Sequence, residues 1–412
     1  MQVVYARCAG LDVHKTTVVA CVLSTQADGS VREQVRKVST MTADLAALSG
    51  WLREQEVECV ALESTGVFWW PVFNLLEEQG HQVVLVNAQH MKAIPGHKTD
   101  IADSRWLADL LRHGLLRPSF IPPAAIRALR EVVRYRATLV RQRAQEINRL
   151  QKVLEGANIK LAAVATDILG VSGRAMLEAI VQGEEDAEVL AELAHGRLRA
   201  KLPALRQALE GRVQPHQRVL IRAQLEHIAF LEAAIAGLDT EVAQALVPFQ
   251  QAMTLLQSLP GVTHTAAAAL IAEIGVDMSR FPSAKHLASW AGVCPGNKQS
   301  GGRRLSGATT HGDPWLRGLL AQIAWAAVRT KGTACAARFH RIARRQGRQK
   351  AVVAVMHHLL VVIYRLLRDA VPYQEPGPDY YHPDDPARQR RRLVQRLEHL
   401  GFAVTLTPLD VA

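Results

Sequence analysis

The stretch RCAGLDVHKTTVVACVLS, residues 7–24, decides how the chain is read. Two β-rich runs, Cys8–Val13 and Thr17–Ser24, flank a short polar break and are spaced to pair as a hairpin. A third run, Val31–Thr40, extends the meander. Asp12 is out of place in this company, because a charge inside an apolar strand needs a reason. Beyond the meander, Leu45, Leu48 and Leu52 fall on one face of a helix that starts near Thr42. Cys59–Leu62 is continuously apolar, as a strand buried on both faces should be, and it ends on Glu63. Gly66 opens a second helix through Glu78, stopped by Gly80, and Gln82–Asn87 (QVVLVN) is another buried strand. Thr99 then starts a helix that runs to about His113.

The order is βββαβαβα, an antiparallel meander continued by parallel strands, which predicts an α/β ribonuclease H-like domain over residues 1–120. Pro118, Pro122 and Pro123 close it. Residues 121–250 read as a helical, coiled-coil linker or oligomerisation region. Ala124–Gly156 is one long Arg-rich helix, and a second follows Pro215 with Ile221, Leu225, Ile228, Leu231, Ile235, Leu238 and Val242 on one stripe. An antiparallel hairpin and a dimer seam would both bury that stripe; helix 218–246 is expected to mediate subunit contact, so charged substitutions at Leu225 and Leu231 should lower the oligomeric state, and a surviving assembly would assign the stripe to an internal hairpin. Residues 251–371 read as an all-α domain, and 372–412 as a basic tail carrying RQRRRLVQR.

Charge narrows the function. The 412 residues carry 49 Lys and Arg against 38 Asp and Glu, a net charge of +11. It is segregated: residues 1–120 are at −2, 121–160 at +6, 161–250 at −4 and 251–412 at +11. Segregated basic charge implies a polyanionic partner, nucleic acid first. Half the residues are hydrophobic, which excludes a largely disordered chain. The apolar run Ala351–Leu367 is broken by His357, His358 and Arg365, so a buried helix is expected there and no membrane contact. No signal peptide is read at the N-terminus, and the five cysteines form no C-x-x-C, so a reducing cytoplasm is expected.

Two constellations carry chemistry. Asp12, Glu63, Asp100 and Asp103 come from a first strand, a fourth strand and a last helix, which meet at one edge of such a sheet. Clustered carboxylates repel unless a cation lies between them, and oxygen donors suit magnesium or manganese. Two such ions can clamp the attacking and leaving oxygens of a phosphodiester displacement. His14, two residues from Asp12, is read as a structural neighbour and not as a ligand. The second constellation is CPGNKQSGGRRLSG, residues 294–307, in which Ser300 lies in a flexible glycine-flanked loop beside Arg303 and Arg304, with Ser306 as a competitor. A serine hydroxyl there can attack phosphorus. Lys98, the helix arginines Arg134, Arg141 and Arg149, and the Leu-Pro-Gly-Val turn at Gly261 are candidate phosphate contacts.

Taken together, GLDVHK (10–15), ALESTG (61–66), HKTDIADSRWLADLL (97–111), LPGVTHTAAAALIAEIG (259–275), FPSAKHLASWAGVCPGNKQSGG (281–302) and GDPWLRGLL (312–320) resemble the insertion sequence 110 family of DEDD transposases. Ala88, Ser104 and Asp313 depart from that pattern without touching the acidic residues. The resemblance implies a RuvC-like N-terminal domain, a coiled-coil insertion and a helical transposase domain. It places the metal-binding tetrad on Asp12, Glu63, Asp100 and Asp103, with Mg2+ or Mn2+ as cofactor, and the nucleophile on Ser300. It implies DNA recombination through a phosphoserine, a structured non-coding guide RNA that pairs with donor and target DNA, and a homo-oligomer, a tetramer, acting at the nucleoid. The alternatives are a RuvC-like nuclease that uses water and a nucleic-acid-binding protein without catalysis.

Overall fold

The structure, a computed structural model, describes residues 2–64, 66–87, 99–296, 298–381 and 386–407. The chain divides into two compact units, Met1–Ala124 and Ala125–Ala412.

In the first unit, β1 (Arg7–Val13), β2 (Thr17–Thr25) and β3 (Val31–Ser39) form the antiparallel meander. Then come helix α1 (Thr42–Glu54), β4 (Cys59–Glu63), α2 (Trp69–Glu78), β5 (Val83–Val86) and α3 (Asp100–Arg112). The strands stand in the order β3-β2-β1-β4-β5, with β4 parallel to both β1 and β5. This is the ribonuclease H-like arrangement. Polar residues on β3, such as Arg32, Glu33 and Lys37, suit an edge strand, where charge discourages pairing with another chain. The pleat sends Ala9, Leu11 and Val13 of β1 toward α1 and α2, where they meet Leu48, Leu52 and Leu76. The alternate residues face α3, where Cys8 meets Ala108 and Leu111. Asp12 belongs to that second set by its period of two.

The second unit opens with α4 (Ala124–Gly156), followed by α5 (Leu161–Val164), α6 (Val171–Gln182), α7 (Ala187–Glu192), α8 (Leu202–Leu209) and α9 (Pro215–Ala245). Ion pairs Arg136–Asp239 and Arg143–Glu232 show that α4 and α9 run antiparallel, since one number rises as the other falls. Leu150 and Leu154 of α4, Ile221 and Ile228 of α9, and Met176, Leu177 and Leu205 from the block between them form one core. Ile221, Ile228, Leu231 and Val242 of the α9 stripe are thus buried by their own chain, while Leu225, Ile235 and Leu238 stay half-buried. Leu231 is buried and Leu225 packs half-buried on that core, so the subunit contact expected through these two leucines gives way to intrachain packing. Periodicity requires that a face be covered; here α6 packs on α9, and α7 and α8 contribute to the core that takes Ile221 and Ile228.

The rest comprises α10 (Gln250–Gln257), α11 (His264–Ile274), α12 (Ala284–Trp290), β6 (Lys298–Ser300), β7 (Arg303–Ser306), α13 (Pro314–Arg329), α14 (Ala334–Gln346), α15 (Arg348–Asp369) and α16 (Pro386–His399). By length and composition alone α15 could cross a membrane. It lies instead among α10, α12, α13 and α14, with Val355, Leu359, Leu360 and Ile363 fully or almost fully buried. The expectation of an all-α region needs correcting, because β6 and β7 pair as an antiparallel hairpin. Gly301 and Gly302 both take positive φ, +55° and +74°, as a two-residue hairpin turn requires.

Candidate active site

Glycine at position 10 lets the acidic edge form. A Cβ there would fall under 3.0 Å from the Ser104 carbonyl oxygen and the Ala108 amide of α3, closer than real Cβ atoms come. Ser104, fully buried, and Ala108 complete a small-residue contact that lays α3 on β1. Thr99 caps α3 by accepting from the Ala102 amide at 3.2 Å, so Asp100 and Asp103 occupy the first turn. There they lie by the C-terminal end of β1, and their charge reaches Asp12. Glu63 ends β4, the parallel neighbour of β1, just past the Leu11–Leu62 pair.

His14 links two of these acids, Asp12 and Asp100. Its Nε2 lies 3.1 Å from Asp12 Oδ2 and 3.4 Å from Asp100 Oδ1. Donor atoms of Asp12, His14 and Asp100 all lie within 4.8 Å of one another. Glu63 and Asp103 stand outside that set. Burial pushes the Asp12 carboxyl up from its ordinary value, Asp100 and Asp103 add to the rise, and His14 opposes it. A half-buried carboxylate facing two others wants positive charge beside it. Oxygen donors on β1 and α3 with an adjacent imidazole fit a divalent cation. The i, i+2 spacing that puts His14 on the Asp12 face is the signal in the sequence for this contact.

Ser300 ends β6 opposite Arg303, exposed at the tip of the hairpin. The loop expected to be flexible is instead closed at its base. Pro295 and Thr309 form a β-bridge, the Gly296 amide donates to the Ala308 carbonyl at 2.8 Å, and Arg317 donates to Thr309 Oγ1 at 2.9 Å. Gly292 and Gly312 press backbone to backbone, leaving no room for a Cβ on either. Below them Asp313 caps α13, accepting from the Leu316 amide at 2.8 Å.

The candidate nucleic-acid contacts separate into two groups. Arg134 donates to both carboxylate oxygens of Glu273, at 2.8 and 2.6 Å, and to Asp313 at 2.8 Å. Glu273 is 3% exposed, and its backbone carbonyl and that of Ala272 accept from Arg130. Arg134 thus anchors α11 and α13 on α4, and is not the free surface cation expected. Gly261 is also structural: with φ +85°, a Cβ on it would lie 2.7 Å from the Ala327 amide of α13. Arg141, by contrast, is exposed and stacks on Trp315 at 4.4 Å, beside a cavity of about 800 Å³ floored by Val133, Ala137 and Val242. Arg149 is two-thirds exposed and pairs with Glu146. Arg303 is exposed beside Ser300. Lys98 and the side chains of Arg304 and Ser306 lie outside the described residues.

Residues 9–159 match the DEDD family of IS110 type described as "Transposase", and residues 253–341 match the "Transposase IS116/IS110/IS902 family". A "Probable family 20 transposase" of Pseudomonas aeruginosa is 28% identical over 273 residues, 66% of this chain and 71% of that protein. An "Insertion element IS116 uncharacterized 44.8 kDa protein" of Streptomyces clavuligerus is 26% identical, covering 65% of this chain and 71% of that one. Among solved structures, Thermus thermophilus RuvC is similar at 15% identity, over 27% of this chain and 99% of RuvC, with a TM-score of 0.22. The same RuvC in complex with a Holliday junction substrate gives a TM-score of 0.21 at the same identity and coverage.

Proposed function

The chain belongs to the IS116/IS110/IS902 family of transposases, and from that premise we propose that it cuts and rejoins DNA through a covalent bond to Ser300. The observation that carries the reading is a paired one. An acidic edge gathers Asp12 and Asp100 around His14, and a serine stands at the tip of a hairpin with a closed base.

In this reading Ser300 Oγ attacks a DNA phosphorus, the bond from phosphorus to the 3′ oxygen breaks, and that oxygen leaves as a 3′ hydroxyl. A 3′ hydroxyl from another strand then attacks the phosphoserine, and the serine takes its proton back. Each bond broken is replaced by one of the same kind, so the exchange needs no external energy source. Asp12, Glu63, Asp100 and Asp103 would hold Mg2+ or Mn2+, which when bound supplies positive charge to the phosphate oxygens and to the leaving 3′ oxygen. The ribbon presents Ser300 with Arg303 beside it, and a guanidinium there binds the attacked phosphate through paired donors. Arg141, Arg149 and Arg304 contribute backbone contacts that carry no sequence preference. Sequence choice then passes to a structured guide RNA paired with donor and target DNA, the protein reading helix shape. The assembly is a homo-oligomer, a tetramer, working at the nucleoid in the cytoplasm.

The test is a suicide DNA substrate with divalent cation and the element's non-coding RNA. Wild type should accumulate a denaturant-stable protein–DNA adduct that maps to Ser300, and Ser300→Ala should lose it while keeping RNA binding. Cleavage at wild-type rate by Ser300→Ala would make this a nuclease that uses water.

A further inference from the structure

We infer that His14 is itself a metal ligand, making the acidic edge a mixed nitrogen–oxygen site that takes manganese ahead of magnesium. The inference rests on the proposed carboxylate metal site and adds to it a donor outside the acidic tetrad.

The imidazole is carried on a fixed stretch of backbone. His14 follows β1 directly, and its amide donates to the Thr17 carbonyl at 2.9 Å, closing the turn into β2. Thr40, just past β3, secures that turn: its hydroxyl donates to the Lys15 carbonyl at 3.0 Å and its amide to the Thr16 carbonyl at 3.2 Å. Three strands thus hold the backbone that carries the imidazole. The ring then meets carboxylates of two different elements, Asp12 of β1 and Asp100 of α3. A histidine that only oriented Asp12 would need to touch one of them.

The distances suit coordination. Donors at adjacent corners of an octahedron with bonds of ~2.1 Å lie about 3.0 Å apart. Nε2 stands 3.1 and 3.4 Å from the two carboxylate oxygens, so a small inward movement of the three groups places them around one ion. The ring is 49% exposed and Asp100 47%, which leaves them free to make that adjustment and leaves the remaining corners to water or DNA. Donor chemistry sets the preference. Magnesium holds oxygen ligands almost exclusively, whereas an imidazole nitrogen raises affinity for manganese and later transition ions.

The experiment uses the full chain without nucleic acid and Mn2+ alone as probe. Electron spin-echo modulation of the bound Mn2+ should show a directly coordinated imidazole nitrogen, lost in His14→Gln. That variant should bind Mn2+ about tenfold or more weakly while its Mg2+ affinity changes far less, narrowing the preference between the two ions. Mn2+ bound by wild type without nitrogen coupling, or with coupling that survives His14→Gln, overturns the inference and leaves the carboxylate site standing. Failure of wild type to bind Mn2+ would overturn both.

Discussion

Gly10→Ala tests whether close packing of α3 on β1 builds the acidic edge. The added Cβ would lie under 3.0 Å from backbone atoms of Ser104 and Ala108, where ordinary contacts lie at 3.4–4 Å. Backbone cannot swing aside as a side-chain tip can, so α3 must retreat by roughly 1 Å to relieve contacts of 2.2 and 2.4 Å, carrying Asp100 and Asp103 with it. Overpacking of this kind costs ~1–3 kcal/mol, partly offset by the gain of ~0.5–1 kcal/mol from replacing glycine within a strand. A net loss of about 1–2 kcal/mol is therefore expected by thermal or denaturant unfolding. Function should suffer more than stability. Metal ligands tolerate displacements of only ~0.2 Å, and a misplacement of ~1 Å can cost about 100-fold in rate. Mn2+ affinity and DNA cleavage should both fall by one to two orders of magnitude in protein that remains folded. Gly50→Ala is the control. That glycine sits in α1, where an added methyl would meet nothing within 4 Å, so the change should stabilise by ~0.5–1 kcal/mol and leave Mn2+ binding alone. If Gly10→Ala melts and binds Mn2+ like wild type, α3 is not held by that contact and the packing argument is wrong.

Other perturbations probe separate parts. Asp12→Asn removes a charge that burial and two neighbouring acids disfavour, so without metal it should raise stability by about 0.5–1 kcal/mol while abolishing cleavage; a clear drop in melting temperature would contradict this. Arg134→Ala leaves buried Glu273 with weaker pairing and should cost ~3–5 kcal/mol, most of it recovered in Arg134→Met with Glu273→Leu; an equally unstable double variant would count against the ion-pair account. His358 on α15 is pushed down to about 4 by burial, with nearby Arg338 adding to the effect. The unfolded chain then binds the extra proton first, so stability is full above about pH 6.5 and falls as pH drops toward 4, on the order of 2–3 kcal/mol at most; His358→Gln should flatten that limb in pH-dependent unfolding. Leu231→Asp should unfold the helical block, and a folded protein of reduced oligomeric state would reassign that stripe to a subunit contact.

Some of this was legible in single residues and their spacing. The continuous apolar run at Cys59–Leu62 is a central strand because both faces of that position are covered, and the Thr99 cap sets where the acidic turn of α3 starts. Asp12 was conspicuous for the same reason, a charge where the pattern asks for an apolar residue. The long helices followed from period and from Pro215. Other features depend on residues far apart in the chain, which local patterns do not report. Arg134 looks like any other arginine on a basic face, and its partners lie 139 and 179 residues away. The α9 stripe announced a buried face but not its cover, because hydrophobic burial has no direction until a partner arrives. The ribbon under Ser300 read as a loop, since glycines carry no strand propensity; the backbone contact of Gly292 with Gly312, twenty positions apart, closes its base. His14 belonged to the acidic edge only once α3, guided by the missing Cβ of Gly10, brought Asp100 to its ring. A period of two places a side chain on a face, and only tertiary packing decides what else arrives there.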